Sequence, residues 1–237
     1  MSTILKAVED NFSFDINLAE QILKYAKFLT ARGLIYNTFG NIALRSQSLP
    51  NTPSVIYTKP RGLSLEELEV TDVVVTTLED GELLHGTVYP SVGHKLNREI
   101  FKCRDDVNAV IHLHPNEVIA YFSVLYLEGM KFISNDTAFV LGKPVKILDP
   151  NINVEIDVSP IKDFIQETNC IVMPQHGITT FGKSLSEAYH RATSFTAEIQ
   201  RLISSKLIST AYQKPIPFVA EEEVKHMYDI AETIIYG

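Results

Sequence analysis

Apolar residues recur at intervals of three and four along several segments, which is the spacing of one face of an α-helix. In residues 17–34 the pattern ends at Gly33, a residue typical of helix termini. The longest such segment covers residues 184–207, and its apolar positions are Leu185, Ala188, Ala192, Phe195, Ile199 and Leu202. The same spacing predicts further helices over residues 91–103, 116–127, 159–168 and 217–237. Ser91 is predicted to cap the first of these.

Shorter apolar runs bounded by Gly, Pro, Asp or Asn predict β-strands. These runs lie at residues 40–46, 54–62, 107–114, 138–142 and 145–148. Residues 72–86 predict a hairpin around Asp80-Gly81, and residues 170–182 predict two short strands around His176-Gly177. Because strands and helices alternate, we expect a sheet covered by helices on both faces. No repeat or linker divides the chain, so a single domain over residues 1–237 is expected.

Composition narrows the class of protein. Of the 237 residues, 45% are hydrophobic and 21% are charged, a balance that supports a globular core. The net charge of −8, without any run rich in Lys or Arg, argues against nucleic-acid binding. No stretch approaches the roughly 18 apolar residues of a membrane span, and acids interrupt the N-terminus where a signal peptide is apolar. Cys103 and Cys170 form no CxxC pair, so a reducing, cytoplasmic location is expected.

Two histidines interrupt the predicted strand in the segment AVIHLHPNEV, residues 109–118. Successive side chains of a strand point to opposite faces, so residues two apart share a face. One face would carry Val107, Ala109, Ile111 and Leu113, and the other Val110, His112 and His114. Such a pair alone is equally compatible with two part-exposed histidines. A third histidine, His176, also follows a short apolar strand, and Gly177 beside it permits close backbone approach.

Three imidazoles on strand ends are a common arrangement of catalytic zinc, because neutral imidazoles bind the ion while a fourth position stays open. His112, His114 and His176 therefore predict a divalent-metal site. Zinc is the first expectation, and manganese, iron or cobalt accept the same ligands.

A series of motifs in fixed order extends beyond the histidines. They are GN at 40–41, TKPRG at 58–62, YPS at 89–91, RDDVNAVIHLHP at 104–115 and QHGITTFGKSLSEA at 175–188. In this order they resemble the class II aldolase/adducin family over about residues 17–205. The resemblance implies a three-layer α/β/α fold with a central mixed, largely antiparallel sheet. It also implies a homotetramer whose substrates are sugar phosphates or acidic sugars.

The resemblance gives roles to individual residues. His112, His114 and His176 fall on the family's three metal ligands. The positions that match substrate binding are Asn41, Lys59, Gly62 and Ser91. Backbone amides at a glycine turn, a hydroxyl and a cation suit an oxyanion such as phosphate. Arg61 stands where Ser or Thr is usual, and its guanidinium would either pair with a substrate carboxylate or phosphate or face solvent.

One departure from the family pattern affects the chemistry. Gly93, in PSVG, stands where the family carries the acid of PSSE or PSSD, which is the general acid/base of the aldolases. Val92 replaces a phosphate-binding serine, and Asn97 replaces a frequent histidine. Glu117 and His94 are the two candidates to replace the missing group. The alternative is that Glu117 only stabilises a helix N-terminus and that His94 is exposed.

Relatives borrow a further acid, often a tyrosine, from the neighbouring subunit. Tyr212, Tyr228 and Tyr236 near the C-terminus are candidates for that role, and Tyr212 is the working choice. Spacing does not choose among them. Asp136 lies near the region from which the epimerase branch of the family draws an acid.

Three functions follow from this pattern. The first is a metal-dependent aldolase-type lyase that cleaves a phosphorylated or acidic sugar through a metal-stabilised enediolate. The second is a sugar-phosphate 4-epimerase or dehydratase that uses the same site. The third is a metal-binding but catalytically silent assembly protein, which the loss of the acid at Gly93 favours and the three retained histidines oppose.

Overall fold

The computed structural model describes residues 12–46 and 54–234, and an eight-stranded β-sheet lies at its centre. The strands are β1 (Asn41–Arg45), β2 (Val55–Thr58), β3 (Val74–Thr77), β4 (Leu83–His85), β5 (Ala109–Leu113), β6 (Lys146–Ile147), β7 (Cys170–Met173) and β8 (Gly177–Gly182). The helices are α1 (Ile16–Ala31), α2 (His94–Cys103), α3 (Asn116–Leu125), α4 (Asn135–Leu141), α5 (Leu185–Tyr212) and α6 (Glu221–Ile234). Among the residues described, none of the helices is long and apolar enough to cross a membrane.

The strand order places the predicted histidine strand in the middle of the sheet. The order is β4-β3-β2-β1-β5-β8-β7-β6, and the pairs are antiparallel except for the parallel pair of β6 and β7. Because β5 runs antiparallel to both neighbours, its C-terminal end lies beside the first residues of β1 and β8. Asn41 is thus paired with His112, and Ile178 with Leu113. Residues from three separate parts of the chain meet at this edge of the sheet.

Two apolar layers enclose the sheet. On one face α1, α3, α4 and α5 pack against it, and on the other α2 and the segment 148–165 do so. The predicted three-layer, largely antiparallel α/β fold is confirmed. The predicted apolar face of α5 is confirmed as well, since all six of its residues are buried. Val107 is a correction: it precedes β5 and packs with α2, on the face opposite to Ala109.

The prediction of a strand at residues 138–142 is wrong, because these residues form the second half of α4 and its end. The carboxylate of Glu198, on α5, accepts hydrogen bonds from the backbone N–H groups of Ile133 and Ser134 at the start of this helix. Gly142 ends the helix in the left-handed conformation, with φ of 67°. A distant carboxylate thus holds the start of a helix in a segment whose own composition favoured a strand.

The prediction of one helix over residues 159–168 is also wrong. The segment forms two short 3₁₀ turns, Ser159–Asp163 and Ile165–Glu167. Pro160 begins the first turn, as the Ser-Pro pair predicted. Phe164 between them has φ of −133° and ψ of −7°, a conformation that interrupts the helix.

Ser91 does not cap α2 as predicted. The cap position is Gly93, which makes no side-chain capping bond, and the helix begins at His94. Ser91 lies two residues upstream, where its N–H donates to the carbonyl of Lys59 (3.2 Å). That bond holds Ser91 against the turn which the sequence predicts to bind an oxyanion.

Candidate metal centre

The three predicted histidines converge at the edge of the sheet where β5 ends and β8 begins. His112 is on β5, His114 follows the last residue of that strand, and His176 lies in the turn between β7 and β8. The distances between ring centroids are 4.6 Å for His112 and His114, 5.2 Å for His112 and His176, and 4.7 Å for His114 and His176. One ring nitrogen of each lies within 4.8 Å of the others, a grouping that could hold a metal ion.

Hydrogen bonds fix which nitrogen of His112 faces the other rings. Its Nδ1 lies 2.9 Å from the carbonyl of Ile178 and 3.0 Å from the hydroxyl of Thr179, both on β8. A carbonyl can only accept, so Nδ1 carries the proton and donates it. The unprotonated Nε2 then faces Nε2 of His176 at 3.2 Å. Such an orienting bond at the other ring nitrogen is characteristic of metal-binding histidines.

Two glycines allow the backbone to approach this closely. A Cβ atom at Gly177 would lie 2.2 Å from the carbonyl oxygen of Leu113, and one at Gly40 would lie 2.7 Å from that of His112. Either contact would displace the strand that carries the histidines. Gln175, just before His176, adopts a positive φ of 63°, which is uncommon outside glycine. The tight turn aims His176 at the other two rings.

The three imidazoles are neutral at physiological pH. Burial lowers the pKa of His112 well below its ordinary value, with smaller contributions from the other two rings. Burial and then His176 lower the pKa of His114 to about 4. Burial also lowers the pKa of His176, and the nearby Glu155 opposes that shift. Unprotonated rings are the form that binds a metal ion.

The donor set fits a divalent ion of borderline softness. Nitrogen ligands about 2.0–2.1 Å from a tetrahedral zinc ion lie about 3.3 Å apart, which agrees with the 3.2 Å between the Nε2 atoms of His112 and His176. Three imidazoles leave a fourth position for another ligand. The same set accepts manganese, iron or cobalt.

The lowered pKa values predict how metal binding depends on pH. We expect the affinity for Zn²⁺ to change little between about pH 8 and pH 6.5 and to fall only at lower pH, because protons compete weakly for rings whose pKa is depressed. In the metal-free protein the folded chain binds fewer protons than the unfolded chain below about pH 6.5, because the three histidine pKa values are lowered by folding. The free energy of unfolding therefore decreases as the pH is lowered below this value. Competition titrations with a chromophoric chelator at several pH values measure the affinity. A fall centred near the pKa of free imidazole would contradict the expectation.

Lys59 places a buried cation beside the histidines. Its side chain is 1% exposed, and its Nζ donates to the carbonyls of Thr38 (2.8 Å) and Leu63 (2.7 Å). Burial lowers the pKa of Lys59 to about 8, so the ammonium remains mostly charged at neutral pH. After burial and His176, this charge is the third cause that lowers the pKa of His114. An ammonium group has three donors, and among the residues that the structure describes two of them bond to carbonyls.

The turn that follows Lys59 is joined to the loop that carries Ser91. The N–H of Arg61 donates to the carbonyl of Tyr89 (2.9 Å), and the N–H of Ser91 donates to that of Lys59 (3.2 Å). Gly62 has φ of 81° and open space where a Cβ would stand. The side chain of Arg61 is exposed. The four residues predicted to contact a substrate oxyanion from these two loops are therefore brought together.

The side chain of Asn41 lies next to the position that a side chain at residue 93 would occupy. It pairs with His112 across β1 and β5, and its Oδ1 accepts from Nδ2 of Asn97 at 2.7 Å. A Cβ atom at Gly93 would lie 2.8 Å from Nδ2 of Asn41. A glutamate at position 93 would therefore have to displace this amide.

His94 occupies the first turn of α2, next to Gly93, and is half-buried rather than exposed. Its Nδ1 lies 3.0 Å from the carbonyl of Ser91. Burial is the main cause that lowers the pKa of His94, and the carbonyl of Ser91 opposes it. The ring is therefore neutral, with Nε2 free of its proton, which is the form that a base requires.

Glu117 contacts a different element. It lies in the first turn of α3, half-buried, and its Oε1 accepts from Nε2 of Gln200 on α5 at 3.4 Å. It is not one of the three residues grouped at the metal centre.

Neither Tyr212 nor Tyr228 is brought to the histidines within the described part of the chain. Tyr212 ends α5 and is 74% exposed, so a role for it requires the neighbouring subunit. Tyr228 on α6 is part-buried, and burial raises its pKa, while Tyr236 is outside the residues described. Asp136 is exposed on α4.

Two residues at the site were missed by the sequence analysis. Phe39, 56% exposed, stacks on His114 with ring centroids 5.4 Å apart. Glu155 places Oε1 4.0 Å from Nε2 of His176. Both lie in irregular segments without periodicity, so no sequence signal distinguished them from other loop residues.

Comparison with known proteins places these features in a family context. The family described as "Class II Aldolase and Adducin N-terminal domain" matches residues 20–200. An L-fuculose phosphate aldolase from Methanococcus maripaludis is 28% identical over 184 residues, which are 77% of this chain and 93% of that protein. A 5-deoxy-D-ribulose 1-phosphate aldolase from Bacillus thuringiensis is 34% identical over 97 residues, which are 40% and 42% of the two chains. A solved structure of an L-fuculose 1-phosphate aldolase shares the fold, with a TM-score of 0.75, 18% identity, and coverage of 91% of this chain and 96% of that one.

Proposed function

The chain belongs to the class II aldolase and adducin family, and from this premise we propose that it is a divalent-metal-dependent lyase of the aldolase type. Its substrate is a ketose that carries a phosphate or a carboxylate. The observation that carries the proposal is the convergence of three neutral imidazoles beside the buried ammonium of Lys59. A metal centre and an anion site next to each other suit a negatively charged sugar.

His112, His114 and His176 are proposed to hold the ion, with zinc as the first choice. When bound, such an ion supplies Lewis-acid polarisation of the substrate carbonyl and stabilises the enediolate that forms as the carbon–carbon bond breaks. The hydrogen bonds from His112 to β8 keep its Nε2 directed at this position.

The oxyanion of the substrate is proposed to bind between the two joined loops. Lys59 supplies the charge, the backbone at Gly62 and the hydroxyl of Ser91 supply donors, and Asn41 is paired with His112 across β1 and β5. Arg61 is exposed at the mouth, where its guanidinium can pair with a phosphate or carboxylate. Phosphate or carboxylate would thus be recognised by one set of groups.

Cleavage also requires a base for the departing hydroxyl proton and an acid for the enediolate carbon. The neutral ring of His94 is the proposed base. Glu117 remains a second candidate for the acid/base position, although its present contact is with Gln200. Tyr212 is proposed to act from the neighbouring subunit of a homotetramer, since it is exposed at the end of α5.

The proposed setting is the cytoplasm, with residues 1–237 forming one domain. Cys103 and Cys170 are free thiols, which agrees with a reducing compartment.

A product analysis tests this function. Protein loaded with Zn²⁺, Mn²⁺ or Co²⁺ is incubated with a panel of ketose 1-phosphates and acidic ketoses, beginning with L-fuculose 1-phosphate and 5-deoxy-D-ribulose 1-phosphate. Release of an aldehyde together with a three-carbon ketone is the expected result. Inversion at C4, or loss of water without chain cleavage, would replace the lyase by an epimerase or dehydratase. Absence of every product would favour the silent assembly protein, for which Gly93 is the supporting observation.

Replacing Lys59 with methionine tests the anion site. We expect KM for the charged substrate to rise about 10–100-fold with a smaller effect on kcat, because a hydrogen bond to a charged group contributes roughly 1.5–3 kcal/mol. The length and volume of the side chain are nearly kept. Lys102→Met is the matched control, since that ammonium pairs with Glu79 near the surface. Equal KM values for the two variants would contradict the assignment.

A further inference from the structure

The missing acid at Gly93 leaves the metal centre without a carboxylate from α2. A side chain at that position would begin 2.8 Å from Nδ2 of Asn41, so the space is already taken by an amide. Glu117 contacts α5 and is not grouped with the imidazoles. The fourth coordination position of an ion held by the three imidazoles would therefore be filled by solvent, by substrate or by a carboxylate from another segment.

Glu155 is such a carboxylate. Its Oε1 lies 4.0 Å from Nε2 of His176, and that nitrogen faces Nε2 of His112. This distance is not much longer than the separation of about 3.3 Å between two ligands of one tetrahedral zinc ion. The side chain is 37% exposed and, like that of Glu117, is outside the grouping of ligand atoms that lie within 4.8 Å of one another. A change of side-chain rotamer would be needed to bring the carboxylate from beside His176 into the position between the rings.

The loop that carries Glu155 is held in place on both sides. The N–H of Glu155 donates to Oδ1 of Asn153 (3.0 Å), and the carbonyl of Asn153 accepts from Ile156 (3.1 Å) and Asp157 (3.0 Å). Val154 is buried at 4% exposure in the layer beneath the sheet. The backbone is thus anchored while the carboxylate stays near the surface, a combination that suits a ligand with one adjustable side chain.

The same loop forms a wall of the site. A cavity of about 190 Å³ lies between it and the His176 turn, and its lining includes Asp149, Asn153, Pro174 and His176. A group bound at the imidazoles from this side has the loop as its neighbour. Glu155 directly follows Val154, which lines this cavity, and does not line it itself.

We propose that Glu155 is the fourth protein ligand of the metal centre and takes the place of the carboxylate that is absent at Gly93. This inference rests on the proposed function, because it requires that the three imidazoles hold an ion. A carboxylate ligand adds a negative charge to an otherwise neutral donor set and strengthens the binding of a divalent cation.

The test compares Glu155→Gln with Asp157→Asn in the otherwise unchanged chain. Asp157 is a matched control, since it lies in the same loop, carries the same charge, and its carboxylate bonds only to Ser159 among the hydrogen bonds described. Affinity for Zn²⁺ is measured by competition with a chromophoric chelator, and the visible absorption of the Co²⁺-loaded protein reports the ligand set. We expect Glu155→Gln to weaken binding at least about tenfold and to change the cobalt spectrum, while Asp157→Asn matches the wild type.

The outcomes separate this inference from the function on which it rests. If the wild type binds one equivalent of metal but both variants share its affinity and spectrum, the role of Glu155 is overturned and the three-histidine site stands. If both variants weaken binding equally with unchanged spectra, a long-range charge effect replaces ligation, and the inference is again overturned. If the wild type binds no metal, both the proposed function and the role of Glu155 are overturned.

Discussion

Replacing His112 with alanine is expected to abolish metal binding and to lower kcat/KM by about a thousandfold or more. His112 is the most buried of the three imidazoles, and its Nε2 lies 3.2 Å from that of His176. Loss of one of the three imidazole ligands is expected to remove the ion, and an ion in this role stabilises the transition state by several kcal/mol. Metal content after dialysis and the rate of aldehyde release measure the two effects.

The control for this substitution is His190→Ala on α5. His190 is exposed and belongs to a helix whose buried face packs elsewhere. We expect it to keep both the metal and the activity. Urea unfolding of the two variants separates loss of the site from loss of the fold. Stoichiometric metal in a folded His112→Ala protein would refute the assignment of this residue.

The second large expected effect is on the free energy of unfolding, and the residue concerned, Glu198, lies away from the metal centre. Glu198→Ala is expected to lower the free energy of unfolding by about 3 kcal/mol. The carboxylate is fully buried and accepts from the N–H groups of Ile133 and Ser134, from the hydroxyl of Thr137 and from Arg201. Its removal leaves buried donors without an acceptor, and each costs roughly 1–3 kcal/mol. Equilibrium unfolding in urea measures the loss.

Arg201, which pairs with Glu198, provides the comparison. Arg201 is 47% exposed, and Arg201→Met removes the counter-ion of a buried carboxylate while leaving the backbone bonds of Glu198 intact, so we expect a smaller loss than for Glu198→Ala. Similar losses for the two variants would show that the ion pair dominates. The cap on α4 would then not be the main contribution of Glu198.

Local sequence patterns were sufficient to predict the helices and strands whose apolar residues recur at regular intervals. The apolar face of α5 follows from its spacing alone, and a strand that ends in His112 and His114 follows from alternation and a proline. Histidines at the ends of separate strands predicted a shared site, and the pairing of β5 with β8 brings His176 to the other two.

The rest depended on contacts between distant segments. Residues 138–142 belong to a helix whose start is held by the carboxylate of Glu198, on another element. Glu155 reaches His176 from an irregular loop whose course is determined by a buried valine and an asparagine turn. The amide of Asn41 fills the position vacated at Gly93, and no pattern within either segment indicates that the two meet. These contacts are determined by tertiary packing between segments that are distant in the chain. No local pattern in a single sequence indicates which distant segments will meet.

The most direct test of the central claim is a metal add-back experiment on carbon–carbon cleavage. The protein is stripped with a chelator, and aldehyde release from the best ketose substrate of the panel is followed before and after addition of one equivalent of Zn²⁺. The three-imidazole centre predicts no release from the stripped protein, recovery on addition of metal, and no recovery in His112→Ala. Release that is unaffected by stripping, or none with any substrate after metal is restored, would contradict the proposed metal-dependent lyase.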